Sequence, residues 1–379
     1  MTVDLPATLV ILLLAVNLLS FGAAAWRCRP GRTCLPQAQA SPVSVIRPLA
    51  GMENYLEEML RSNFELDYPD YEILFCVQRA EDPVIPLVRR LIAEYPSRDA
   101  KLLIGDDPFS ANPKLNNCLK GWENSRHELV IMADSNVLMP RDYIQVLLKH
   151  FGPDIAVTFS PPIGTRPESF WADVECAFLN SFQARVLYAG DVLRLKPIQG
   201  KSMLLRRSWL EARGGIRGLS AELAEDIALR KMILRSRSQT RIVDAPFAQI
   251  LGERTFGEVI QRQRRWALLR RLAAPRLYAL ELMLGGATPM ACAALAAMAS
   301  QQNPLSAALS VGAVIYACES VFAWRLGWLH SWRSPLAFVV RDLLLPAIWL
   351  CGIFDRGYSW RGFRIRAEGS ELQLLGGQQ

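Results

Sequence analysis

Two groups of side chains between Ala221 and Trp266 have the types and spacing to do chemistry on an anionic substrate. Glu225 and Asp226 form an acidic pair that opens an amphipathic run, Ile227 to Leu234. Arg262, Arg265 and Trp266 follow, the two arginines three apart and so on one face of a helix. A carboxylate can take a proton from a hydroxyl, and its surroundings can raise its pKa toward neutrality. Arginine forks match diphosphate oxygens, and an indole offers its face to a sugar or a lipid head group. An acid pair and a basic cluster so placed could handle a sugar-nucleotide donor. The chain has only His127, His150 and His330, none inside a motif, so the general base must be a carboxylate. Asp226 is the candidate, with Glu225 beside it. The same two acids would also suit a helix amino terminus through the dipole alone.

These groups need a scaffold, and the stretch before them supplies one. Val43 to Pro48, Tyr71 to Gln78, Lys101 to Ile104 and Leu129 to Ala133 are β-rich runs. Between them, Tyr55 to Phe64, Val84 to Tyr95 and Leu115 to Ser125 have helical apolar spacing. The alternation predicts an α/β fold, a mostly parallel sheet covered by helices, whose ligands bind at the carboxyl ends of the strands. Asp82 and Asp134 follow two of those strands, so both carboxylates are expected in one crevice. Asp82 stands before Pro83 and would equally cap a helix. Lys114 opens a helix whose amino terminus attracts phosphate. It and Arg47 are either donor-phosphate cations or solvated surface charges.

Of the 379 residues 51% are hydrophobic and 21% charged, and the apolar excess lies at the two ends. Leu5 to Trp26 is long enough to span a bilayer and is followed by Arg27, Arg29 and Arg32, which places the next domain in the cytoplasm. It lacks a basic start and is long for a signal peptide, so we read an uncleaved anchor. Leu282 to Ser300 and Leu305 to Trp324 are membrane-length runs joined by an uncharged loop. Pro335 to Phe354 contains Arg341, Asp342 and Pro346, and is either a full span or a broken, re-entrant helix. Arg341 and Asp342 should be paired or face a polar cavity. Phe170, Trp171, Phe178, Phe182 and Tyr188 have helical spacing that fits a buried face or a helix against lipid. The resulting divisions are an anchor at 1–27, a linker at 28–42, a soluble domain at 43–276, transmembrane or re-entrant helices at 277–355 and a basic tail at 356–379. The formal charge of +7 sits beside hydrophobic stretches, which suits lipid head groups and a nucleotide diphosphate and argues against nucleic acid. Eight cysteines without a C-x-x-C pair argue against a zinc site or a disulfide framework.

An ordered set of motifs then carries a resemblance. Val43-Ser44-Val45-Ile46-Arg47-Pro48-Leu49-Ala50-Gly51, Phe64 to Pro69, Asp82-Pro83, Asn112-Pro113-Lys114-Leu115-Asn116-Asn117, Ala133-Asp134-Ser135, Glu225-Asp226 and Arg262-Gln263-Arg264-Arg265-Trp266 follow one another in this order, within a match that runs from about Val43 to Arg366. The set resembles the membrane-bound ceramide glucosyltransferases and their bacterial relatives, the hopanoid-biosynthesis-associated glycosyltransferases. The resemblance implies a GT-A, Rossmann-like nucleotide-sugar domain. It also implies donor-binding roles for Arg47, Asp82, Lys114, Asn116, Asp134, Arg262, Arg265 and Trp266, and places Lys201, with Trp266, near the acceptor. Asp134-Ser135-Asn136 stands where that fold carries a D-x-D motif, so Asp134 would bind Mg²⁺ or Mn²⁺ together with the donor diphosphate. Asn136 in the third position leaves that motif a single carboxylate.

The implied activity is inverting transfer from a UDP-sugar to the hydroxyl of a membrane lipid. The implied place is a bacterial cytoplasmic membrane, crossed several times, with the catalytic domain facing the cytoplasm. N-acetylglucosamine onto a hopanoid polyol is the expected pairing, and glucose onto ceramide the alternative. A processive polysaccharide synthase and a non-catalytic membrane scaffold are further readings. The sequence sets no oligomeric state.

Overall fold

The computed structural model describes residues 5–29, 41–222, 224–360, 363–368 and 371–377. Residues 30–40 of the expected 28–42 linker lie outside the described residues. From the amino end, helix α1 (Leu5–Arg27) precedes β1 (Val43–Leu49), α2 (Leu56–Arg61), β2 (Tyr71–Val77), α3 (Val84–Glu94), β3 (Asp99–Ile104), α4 (Pro113–Asn124) and β4 (Leu129–Ala133). Next come α5 (Tyr143–Leu148), β5 (Ile155–Ser160), β6 (Pro162–Pro167), α6 (Phe170–Ala177), a π-helical stretch Phe178–Ala184 and α7 (Arg185–Val192). They are followed by β7 (Ser202–Arg206), α8 (Arg207–Glu211), α9 (Glu225–Leu234), β8 (Gln239–Ile242) and β9 (Phe247–Gly252). The chain continues through α10 (Phe256–Ala273), α11 (Pro275–Ala279), α12 (Ala287–Ala299), α13 (Pro304–Arg325) and α14 (Ser334–Phe354) to β10 (Gly357–Trp360), β11 (Phe363–Glu368) and β12 (Glu371–Gly377).

These elements form two compact units, Pro30–Pro162 with Arg194–Ile250 and Arg356–Gln379, and Met1–Arg29 with Ile163–Leu193 and Leu251–Asp355. Residues 163–193 and 251–276 of the expected 43–276 domain cluster with the apolar helices. The 356–379 tail contains an antiparallel sheet, β10-β11-β12.

In the first unit the described residues form a seven-stranded sheet in the order β3-β2-β1-β4-β7-β5-β8. β1 pairs in parallel with β2 and β4, and β2 with β3, whereas β7 runs antiparallel to both β4 and β5. Every residue of β1, β2 and β4 is buried, as strands covered on both faces require. Val45, Ile73, Phe75, Ile131 and Leu204 lie in one hydrophobic core. Chain order reverses where β1 meets β4, the point at which open α/β sheets hold their ligands. Helix α4 lies close on the sheet because residue 121 is glycine: an added Cβ would stand 2.6 Å from the Ile46 side chain and 2.7 Å from Cys76 Sγ. Asn117 Nδ2 pins the same helix to the carbonyls of Leu49 (3.0 Å) and Cys76 (2.7 Å).

In the second unit, three helices among the described residues are long and apolar enough to cross a membrane: Pro6–Arg27, Pro304–Arg325 and Ser334–Phe354. The expected span 282–300 is corrected. It divides into a 3-10 turn, Glu281–Leu284, and the 13-residue α12, about 20 Å long at 1.5 Å per residue and short of the hydrocarbon core. Helix α14 is continuous through Pro346 rather than broken. Phe178, Phe182 and Tyr188 are buried.

Arg341 is paired, as its cost in an apolar bundle demands. Its guanidinium donates to Glu319 on α13 (2.5 and 3.1 Å), to Asp342 (2.9 Å) and to Ser181 Oγ (3.2 Å). Arg341, Asp342 and Glu319 are each no more than 2% exposed. Removing one member of such a set strands a buried charge, so Glu319→Leu should destabilise the protein by about 3–5 kcal/mol. Thermal unfolding in detergent would show this as a lowered midpoint, whereas the exposed Glu123→Leu should stay within about 0.5 kcal/mol.

Candidate active site

Asp134 and Glu225 meet around one lysine. Asp134 directly follows β4, and its N–H donates to the Lys201 carbonyl (2.9 Å) just before β7. Asn112 caps α4 by accepting from the N–H groups of Lys114 and Leu115, which fixes where Lys114 begins its reach. Lys114 Nζ then lies 2.6 Å from Asp134 Oδ1 and 2.8 Å from the Gly200 carbonyl, and also pairs with Glu225 Oε1. Lys201 Nζ holds the other oxygen of Asp134 at 2.8 Å and reaches Asn136 Oδ1 at 3.2 Å.

Glu225 and Asp226 divide their work. Glu225, 5% exposed, binds Lys114 and accepts from Asn112 Nδ2 at 2.9 Å. Asp226 binds no ammonium; its oxygens accept from the N–H groups of Gly200 (3.0 Å) and Ile227 (2.8 Å). Burial and the neighbouring Glu225 charge push Asp226 up to about 6, against the opposing pull of Lys114 and the two N–H groups. Burial would also raise Asp134, but Lys114 and Lys201 outweigh it and hold that carboxylate well below the usual range. Lys114 is desolvated, yet Asp134 and Glu225 keep it firmly protonated. The cleft therefore holds one permanently ionised acid and one poised to exchange a proton.

Two of the expected donor-site residues are turned elsewhere, and Asp82 takes the capping role already open to it. Arg47 is fully buried and donates to the carbonyls of Ser135 (3.0 Å) and Val137 (3.1 Å), so it supports the turn after Asp134 and offers no surface to a donor. Asn116 is turned into the Ser110 loop, accepting from its N–H and hydroxyl and donating to its carbonyl. Asp82 caps α3 through the Val84 N–H (2.9 Å) and also takes the Gly51 N–H (2.9 Å), which realises the capping alternative.

Arg262, Arg265 and Trp266 belong to the other unit, on α10, which a Thr255–Glu258 capping box opens. Arg262 Nη1 donates at 2.6 Å to Glu175, a fully buried carboxylate on α6 that Arg254 also approaches at 3.4 Å. Trp266 packs against Ala172, Cys176, Leu179 and Leu251.

Among the described residues no group of three or more His, Cys, Asp or Glu side chains could hold a metal alone. Asp134 and Asn136 offer oxygens side by side, but both are engaged by Lys201. The donor set fits a hard cation only if a ligand such as a diphosphate supplies the remaining oxygens.

The profile of glycosyl transferase family 21 matches residues 12–371. The chain belongs to that family. Similar curated proteins include ceramide glucosyltransferase 1 of Caenorhabditis elegans, 30% identical over 250 residues, which cover 65% of this chain and 53% of that protein. Ceramide glucosyltransferase 3 of the same organism is 27% identical over 243 residues, covering 63% and 52%. The chain thus spans about half the length of these relatives. Among solved structures, a mannosyltransferase from Pyrobaculum calidifontis, in complex with GDP-mannose and Mn²⁺, aligns with a TM-score of 0.53 at 18% identity, over 89% of this chain and 99% of that one. That likeness establishes the GT-A fold.

Sequence reasoning missed the parts played by Asn112 and Gly200 in the cleft and by Glu175 in the other unit. Asn112 joins the α4 terminus to Glu225, and Glu175 fixes Arg262. Gly200 brings backbone against the acid pair: an added Cβ would stand 2.8 Å from Glu225 Oε1 and 3.3 Å from Asp226 Oδ2. Its position just ahead of a strand was the one signal available. Gly200→Ala should cost about 1–3 kcal/mol by overpacking. The control Gly257→Ala meets nothing within 4 Å and should be neutral or slightly stabilising, with unfolding midpoints of the two variants making the comparison.

Proposed function

We propose that this protein transfers a sugar from a UDP-sugar to the hydroxyl of a membrane lipid, in one displacement with inversion. The observation that carries the proposal is Asp226: a carboxylate raised to about 6, held by two backbone N–H groups and set beside a lysine-bridged acid pair. Asp226 takes the acceptor proton as the acceptor oxygen attacks the anomeric carbon. The bond from that carbon to the diphosphate oxygen breaks, and UDP departs with the electron pair. Lys114 and Lys201, which neutralise Asp134, present ammonium groups to the diphosphate. A cation held by Asp134 and the donor's own oxygens, Mg²⁺ or Mn²⁺, would neutralise charge on the leaving group. Asp82 is assigned to the nucleoside, and Arg262, Arg265 and Trp266 to donor handling, by their motif positions; Glu175 serves to fix the Arg262 side chain.

The curated relatives favour ceramide as acceptor and glucose as the transferred sugar, because those that the chain resembles carry that name. The hopanoid polyol with N-acetylglucosamine, the pairing first expected, is not the one those names carry and becomes the comparison arm of the assay. The lipid is reached from the bilayer that the apolar helices occupy, with the sugar-transfer unit on the cytoplasmic side.

Purified protein in detergent should release UDP from UDP-glucose when ceramide is present. Asp226→Asn should lower that rate by about 10²–10⁴-fold, the usual worth of a general base. Release that needs the hopanoid polyol instead would reassign the acceptor, and an unaffected variant would remove Asp226 from its role.

Asp226 acts when ionised, so kcat/KM should rise with pH through about 6. Glu225→Gln removes the adjacent negative charge and should move that limb to lower pH. For stability the sign is opposite. A carboxyl raised from about 4 in the unfolded chain contributes fully below that value and loses its contribution as pH climbs through about 6. A pH–rate profile and a pH series of unfolding midpoints test the two halves.

A further inference from the structure

The segment Leu193-Arg194-Leu195-Lys196 has no part in the chemistry above, yet it places apolar side chains in the open. Leu193 is 67% and Leu195 50% exposed, and Arg194 between them is exposed as well. Arg194 (φ 56°) and Lys196 (φ 49°) both adopt the left-handed backbone that side-chain-bearing residues rarely take. The conformation is held in place. Arg230 donates to the carbonyls of Leu195 and Lys196, each at 3.3 Å, and Lys196 Nζ donates to the Ser238 carbonyl at 2.9 Å.

What covers the leucines is indicated by the helix that precedes them. Asp191, on the last turn of α7, pairs at 2.7 Å with Arg27, the final residue of α1. Helix α1 is of membrane-spanning length and composition. At the same end, Trp26 is 61% exposed with the Arg29 guanidinium 5.7 Å over its ring. Tryptophan beside arginine at the end of an apolar helix marks the level of the lipid head groups. Leu193 follows Asp191 by two residues and so lies at that level.

The geometry points to a membrane-surface contact in which Leu193 and Leu195 enter the boundary between head groups and acyl chains and Arg194 faces lipid phosphate. Apolar residues alternating with basic ones suit that boundary, since the leucines leave water while the cations stay with the anionic surface. The inference rests on α1 spanning the bilayer, as the proposed function does. It needs no catalytic turnover for its test.

The full chain, carrying Leu193→Cys, Leu195→Cys or the control Glu123→Cys, would be labelled with an NBD fluorophore. Each would be reconstituted in phosphatidylcholine–phosphatidylglycerol vesicles, with the unsubstituted chain labelled in parallel to subtract native cysteines. Lipid bearing a doxyl quencher near the head group should reduce emission at both leucine positions at least twofold and leave the Glu123 position unchanged. Quenching at neither, or at only one, overturns the contact. Energy transfer between labelled copies in place of lipid quenching also overturns it, assigning the patch to a second copy of the chain. Loss of UDP release with quenching intact would count against the proposed function alone.

Discussion

Lys114 is the charge on which the site depends. Its ammonium meets Asp134 from the end of β4, Glu225 from the start of α9 and the Gly200 carbonyl ahead of β7. Carboxylates crowded into a partly buried cleft would otherwise raise one another's pKa and take up protons. With Lys114 and Lys201 present, Asp134 stays ionised, and the rise falls on Asp226, whose oxygens accept from the N–H groups of Gly200 and Ile227. Position in the network, rather than residue type, separates the acid that holds charge from the acid that moves a proton. The same bridge helps to fix backbone: the Gly200 carbonyl accepts from Lys114 while its N–H donates to Asp226, which offsets bringing residue 200 close to two carboxylates.

The sheet was legible because its strands are short, β-rich and separated by helical runs, and β1 to β4 appear within a few residues of where those runs lie. The placement of Asp134 and Asp226 in one unit followed from the same pattern and from the motif order. Arg47 and Asn116 were misplaced for a physical reason. β1 and most of α4 are buried, so alternation carries no record of which face meets the cleft. An arginine near a strand's carboxyl end can point into the cleft or under the turn beside it, and only packing decides. Glu175 and Glu319 were invisible for a related reason: each is defined by an arginine far away in the chain, Arg262 and Arg341, and no local spacing announces such a partner. The short α12 was hidden because composition reports apolar length without reporting where the helix starts; Gly285 and Gly286 lie against Asp342 ahead of it.

The same partners change how the basic charge of the chain should be understood. Read linearly, Arg254 to Arg276 resembles a patch waiting for lipid phosphates or a diphosphate. In the folded unit, Arg254 and Arg262 are drawn to Glu175, Arg264 makes two bonds to Asp355, and Arg270 makes two to Glu281. Those acids come from α6, from the end of α14 and from the turn before α12, so the arginines of α10 stitch together elements distant in sequence. Arginine suits this because its fork bonds a carboxylate at two points and remains charged when partly desolvated. A phosphate must therefore compete with carboxylates already in place. Buried Glu175 is the strongest such competitor, since giving up its arginine would leave an unpaired charge away from water. Arg262 is thus held in a fixed orientation by Glu175.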